Sequence, residues 1–154
     1  MIEVCHSEEE IRRIIIEDPE MLNRSKCDGF NPDVKLLDKG IWLKWVDHEG
    51  GEAKALCAFK ADSAYIVDIH IHIPKEFRGA GTLDKGRDFL RWVVNNNRGL
   101  FLKFTTRIPV IHRDVIWYAM KLGFKKEGLN RLSVVKGGVL MDMVMMGLTF
   151  GEVQ

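Results

Sequence analysis

Residues 66–90, IVDIHIHIPKEFRGAGTLDKGRDFL, constrain the fold more than any other stretch of this chain. A strand of β-branched residues passes through an Arg-Gly-Ala-Gly turn directly into an amphipathic helix. From Tyr65 to Ile73 the side chains alternate, with Tyr65, Val67, Ile69, Ile71 and Ile73 on one face and Ile66, Asp68, His70 and His72 on the other. The first face is apolar; the second is titratable. Pro74 stops the strand, Gly79 and Gly81 permit a tight turn, and the free N–H groups of residues 79 to 83 open a helix whose dipole favours a phosphate. Leu83, Gly86, Phe89, Leu90, Val93 and Val94 recur at three- and four-residue spacing, so the helix should lay its inner face on a sheet. An ordinary strand-to-helix turn, with glycine chosen for its dihedral, explains an isolated RGAG equally well. A dinucleotide-type G-x-G-x-x-G is a poor rival, because Asp84 stands where the third glycine belongs and no alternating βαβ series surrounds it.

Length and composition narrow the class. A chain of 154 residues with 46% hydrophobic content suits one domain, 1–154, large enough to bury a core without staples. A net charge of +1 provides no strong field toward nucleic acid or a membrane surface, so neither is an expected partner. The N-terminus MIEVCHSEEE is acidic rather than basic-then-apolar, which points to the cytoplasm. Cys5, Cys27 and Cys57 are odd in number, far apart and outside any C-x-x-C pattern, as free thiols in a reducing compartment would be.

Along the chain, Ser7 and Glu10 form a capping box ahead of Ile11, Ile14 and Ile15, predicting a helix from about residue 8 to Asp18, interrupted by Pro19. A short second helix and a loop, mobile enough to cover a site, should precede the sheet. Strands are expected at 41–46 and 53–60 around a Gly-Gly turn, with 65–73 as the third member of the meander. After the long helix, Asn95-Asn96-Asn97-Arg98-Gly99 is a stop signal and Leu100 to Thr106 a strand, parallel to 65–73 because a helix joins them. A helix over about 112–122 and two strands around Lys136-Gly137-Gly138 complete the order β, α, α, β, β, β, α, β, α, β, β. Trp42, Trp45, Trp92 and Trp117, and Met141, Met143, Met145 and Met146, read mainly as packing residues.

That order, with R-G-x-G between the third meander strand and the long helix, resembles the GNAT superfamily of acetyl-CoA-dependent N-acetyltransferases. Arg78-Gly79-Ala80-Gly81 matches the start of the family's pyrophosphate loop, Q/R-x-x-G-x-G/A, while Leu83 stands where glycine or alanine is usual. Tyr118-Ala119-Met120-Lys121-Leu122-Gly123-Phe124 looks like the family's F-Y-E-K-L-G-F segment. The resemblance covers about residues 1–148. More narrowly, IPVIHRDVIWYAMKLGF with Asn130-Arg131-Leu132-Ser133 and the Lys-Gly-Gly hairpin is similar to a GNAT-like branch encoded among tailed-phage head-assembly genes.

The resemblance implies an α/β (α+β) fold with a mostly antiparallel sheet, one splayed parallel strand pair and flanking helices. It implies acetyl-CoA as acyl donor, held by Arg78, Gly79, Ala80, Gly81, Thr82 and Leu83, with the pantetheine arm between strands ending at Ile73 and Phe104 and bonded by Ile71 and Ile73. Leu83 would crowd the approach of helix and donor. The reaction needs a base for the attacking amine, for which Asp68, His70 and His72 are candidates. The family's base lies a set distance before the loop: counted from Arg78 the position falls on Val67 and Ile69, counted from Pro74 on Asp68 and His70. A half-exposed polar strand face, or a metal site from His70, His72 and Asp68, are the other readings of these residues, although no metal is expected. The tyrosine that protonates the leaving thiolate falls on Ala119. Neighbouring Tyr118 is the remaining candidate for the acid, although one helical step turns it by about 100°, away from the sulfur or onto the sheet. The expected activity is direct acyl transfer to a small-molecule or protein amine. The alternative is a GNAT-fold head-assembly or binding protein that meets virion proteins. The last hairpin offers an edge through which a homodimer could form.

Overall fold

The computed structural model describes all 154 residues. Strand β1 (Ile2–Val4) precedes helices α1 (Glu8–Ile15) and α2 (Pro19–Ser25). Strands β2 (Ile41–Trp45), β3 (Ala55–Ala61) and β4 (Ile66–His72) lead into helix α3 (Thr82–Asn96). Strand β5 (Lys103–Pro109), helix α4 (Arg113–Lys121) and strands β6 (Lys125–Lys136) and β7 (Val139–Thr149) complete the chain in the order expected from the sequence.

Local chemistry sets the boundaries. The Ser7 hydroxyl accepts from the Glu10 N–H and starts α1, which ends at Ile15 rather than Asp18. Asp18 is instead the cap of α2, accepting from the N–H groups of Glu20 and Met21, and Pro19 opens that helix where its missing N–H costs nothing. Strand β5 begins at Lys103 rather than Leu100 because the Asn97 side chain bonds both backbone groups of Phe101 and closes a loop first. Tyr65, expected on the buried face, lies outside β4 and is exposed, its neighbour Ser63 belonging to the turn.

All seven strands form one sheet in the order β1-β2-β3-β4-β5-β7-β6, and only the β4–β5 contact is parallel. That contact is short: Ile66 pairs with Lys103, Val67 with Phe104 and Asp68 with Thr105, and there it stops. Strand β4 continues to His72 on β3, and β5 continues to Pro109 on β7, so the sheet opens in its middle. Phe104, expected at the splay, is inside the paired segment and fully buried; the gap begins after Thr105.

Two cores hold the sheet between layers. The larger gathers Val67, Ile69, Phe89, Leu90, Phe104 and Leu148 between the sheet and helices α3 and α4. The smaller gathers Ile11, Ile15, Leu36, Trp42 and Leu56 beneath α1 on the other face. Burial of each of these large side chains contributes about 1.5–3 kcal/mol. The Glu8 carboxylate accepts from the N–H groups of Leu36 and Leu37 at 2.9 and 2.8 Å, tying the segment before β2 to α1. At Gly86 a Cβ would collide with the Tyr118 hydroxyl and lie 2.9 Å from Leu122 Cδ1, so glycine there sets the approach of α3 to α4. Trp42 is core as expected, whereas Trp117 is largely exposed; Met146 is buried and Met141, Met143 and Met145 are half-buried. No helix is long and apolar enough to cross a membrane.

Candidate active site

Where β4 and β5 part, a cavity of about 690 Å³ opens, walled by α2, residues 26–39, the parted strands, α4 and the turn end of the last hairpin. Apolar side chains dominate it, among them Phe30, Trp42, Ile108, Val134 and Met143. The titratable face of β4 looks into it.

Asp68 occupies the last paired position and is only 2% exposed. Its Oδ2 lies 3.2 Å from His70 Nε2 and 4.0 Å from Arg107, while its Oδ1 is buried with no partner. Burial opposes ionisation of this carboxyl, but the His70 hydrogen bond and the charges of His70, Arg107 and Lys60 outweigh it and hold the group below the usual carboxylate range. An ionised, orphaned carboxylate oxygen at a cavity wall is an acceptor prepared for a ligand's N–H. With Nε2 donating to Asp68, His70 keeps Nδ1 as its free basic nitrogen. The half-exposed polar face expected of β4 is thus split: Asp68 is buried and His70 is exposed.

His72 differs from both. Its Nδ1 shares a hydrogen with Ser25 Oγ at 3.0 Å, and its ring stacks on Trp42. Burial, followed by the charges of His70 and Lys26, pushes its pKa down to about 3, so it stays neutral. The two histidines stack at 6.5 Å, and no three His, Cys, Asp or Glu side chains converge as metal ligands. His112, across the cavity, is hydrogen-bonded to Lys136.

The glycine turn adjoins the cavity. Gly79 and Gly81 have φ of 125° and 82°, and a Cβ at Gly79 would meet nothing within 4 Å. The Gly79 N–H is taken by Thr82 Oγ1 at 2.7 Å, and Thr82 and Lys85 N–H bond Gly79 and Gly81 carbonyls. The N–H groups of Ala80, Gly81, Leu83 and Asp84 are left without an intramolecular acceptor. Arg78, expected to add charge to the turn, points elsewhere: it donates to Glu20 at 2.6 Å and to the Ile73 carbonyl at 2.8 Å, so the Ile73 carbonyl is not free. Ile71 is half-buried on the cavity wall. Leu83 packs onto the larger core, which takes its bulk away from the turn.

Tyr118 lines the cavity and donates its hydroxyl to the Thr82 carbonyl at 3.0 Å, while Ala119 is buried in the core. Burial raises the Tyr118 pKa strongly, so the phenol keeps its proton. Sequence reading passed over Ser25, Arg107 and Lys136. Each is brought to the cavity by a distant element, and a hydroxyl or cation in a loop or strand carries no local signal of that.

No protein-family model matches the chain, and no curated protein matches its sequence. Solved structures do match its shape. Spermidine N-acetyltransferase from Vibrio cholerae, solved with CoA and spermine, superposes with a TM-score of 0.81 at 12% identity, over 99% of this chain and 96% of that one. A GNAT superfamily phosphinothricin acetyltransferase from Sinorhizobium meliloti, solved with acetyl-CoA, gives 0.67 at 19% identity, over 97% and 87%. An N-acetyltransferase from Staphylococcus aureus gives 0.72 at 14%, over 97% and 98%. The fold is therefore that of the GNAT acetyltransferases.

Proposed function

We propose that this protein is an acetyl-CoA-dependent N-acyltransferase that acts on an amine by direct transfer. One observation carries the reading: Asp68, whose buried Oδ1 has no intramolecular partner, lines a cavity at the point where β4 and β5 part. The donor fits the residues present. The open space over Gly79 and the unclaimed N–H groups of Ala80, Gly81, Leu83 and Asp84 suit a pyrophosphate, with Thr82 holding the turn in shape. The gap flanked by Ile71 suits an extended arm. Bound acetyl-CoA supplies the activated acyl group.

The chain's own groups do the rest. Asp68 Oδ1 accepts a hydrogen from the incoming amine and orients it. His70 takes the amine proton on Nδ1, and Asp68 Oδ2 stabilises the imidazolium that forms. His72, uncharged and tied to Ser25, shapes the wall. Tyr118 braces α4 against the first turn of α3, and water returns the proton to the departing sulfur, since Ala119 has none to give. The buried Ala119 is also what favours the second reading, a GNAT-fold head-assembly protein meeting virion proteins.

Amine-dependent release of CoA thiol from acetyl-CoA, followed over a panel of primary amines, separates the two. Transfer predicts release that falls on the order of 10²-fold or more in His70→Ala and in Asp68→Asn, with circular dichroism unchanged. Release no faster than hydrolysis with every amine, in protein that binds no acetyl-CoA, would favour assembly.

A further inference from the structure

The cavity wall is unbalanced in charge. Arg24 is paired with Asp114 and Arg78 with Glu20. Lys26, Lys39, Lys60 and Lys136 also line the cavity, and none has a carboxylate oxygen within 4.0 Å. Lys136 is the sharpest case. It is 7% exposed, at the end of β6, and its ammonium donates to the Asn23 carbonyl and lies 2.9 Å from His112 Nε2. Both partners are neutral acceptors. Burial lowers the pKa of Lys136, and burial together with the Lys136 and Arg24 charges lowers that of His112. The nearby Asp28 carboxylate acts on Lys136 only from beyond 4.0 Å and is engaged by backbone N–H groups, so the ammonium is buried with no carboxylate in contact; such a cation is costly, and an anion arriving in the cavity offsets that cost. The position is built rather than accidental: Asp28 accepts from the N–H groups of Gly137 and Gly138 at 2.9 and 2.7 Å, which fixes the turn that follows Lys136.

We infer that the acceptor amine also carries a carboxylate, received by Lys136 at the end of the cavity closed by α2 and the last hairpin, while its amino group faces Asp68. The apolar wall between, with Trp42, Ile108 and Val134, takes the carbon skeleton. The inference rests on acyl transfer for the acceptor's amine; the anion site stands on Lys136 alone. A polyamine would bring more positive charge to a wall that already has an excess of it.

The test is calorimetric binding of a series of N-acetylated ω-amino acids of increasing chain length, each against its neutral amide, to the wild type, Lys136→Met and Lys136→Arg. Acetyl-CoA is titrated into the same three proteins, and melting curves check their fold. Expected is one chain length at which the acid binds about tenfold or more tighter than the amide. That preference disappears in Lys136→Met and returns in Lys136→Arg, with acetyl-CoA affinity unaltered. Equal binding of acid and amide, no binding of either, or a preference that survives Lys136→Met would overturn the inference. So would a loss of acetyl-CoA affinity in Lys136→Met, which assigns the cation to the donor's phosphates. Carboxylate preference in protein that binds no acetyl-CoA would uphold the anion site and overturn acyl transfer alone.

Discussion

The two ends of β4 are built from one alternating pattern and have opposite fates. Between Ile66 and Asp68 the strand has neighbours on both edges; beyond Asp68 it has β3 alone. At the paired end, Val67 and Phe104 sit side by side, fully buried in the larger core. At the open end, Asp68, His70 and His72 border a cavity; the Asp68 carboxylate lies 4.0 Å from the Arg107 guanidinium on β5, and His72 is hydrogen-bonded to Ser25 at the end of α2. Stability is concentrated where the strands meet and reactive groups where they part, and the boundary falls on one residue, Asp68.

Substitutions on either side of that boundary should differ in what they cost. Phe104→Ala removes a fully buried ring and should destabilise by about 3–5 kcal/mol in chemical denaturation. Asp68→Asn keeps the shape and should cost about 1 kcal/mol while removing the charge that orients His70. Similar losses of stability from both would erase the distinction between the two ends.

The open end should also govern the response to acid. His72 has its pKa lowered from an ordinary 6.5 to about 3, so below 6.5 the unfolded chain binds a proton that the folded chain refuses. Its contribution is complete above pH 6.5 and is lost as pH falls toward 3, amounting to ~3 kcal/mol once water in the cavity is allowed for. Denaturation curves at a series of pH values should show that decline, and His72→Gln should flatten it; an unaltered slope in the variant would place the titration elsewhere. The smallest effect should come from Tyr118→Phe, which loses the bond to the Thr82 carbonyl and about 1 kcal/mol of stability, and leaves transfer measurable because the phenol keeps its proton. Complete loss of transfer in this variant would make Tyr118 the acid.

Much of the fold could be read from the chain because its signals are local. The Ser7 cap, the alternation in β4 and the positive-φ glycines at 79 and 81 each lie within a few residues of the structure they specify. Where the strands part is not local: it depends on how far β5, more than 30 residues downstream, follows β4, and Phe104 was accordingly expected at the wrong end of the pairing. Arg78 shows the same limit, since its partner Glu20 lies on a helix at the start of the chain. The pairing of Lys136 with Asn23 and His112 is the extreme case, joining α2, α4 and β6, so a lysine beside a Gly-Gly turn reads as solvated until the tertiary structure buries it.

The central claim is that the parted strands and the glycine turn form a working donor site. Titration calorimetry with acetyl-CoA tests it most directly, using Gly81→Trp as the control, because the left-handed φ of 82° disfavours any side chain there and an indole on the turn would occupy the space a pyrophosphate needs. Micromolar binding by the wild type, lost in a folded Gly81→Trp protein, is the predicted result. No binding at millimolar acetyl-CoA, or binding that the substitution leaves unaltered, would contradict it.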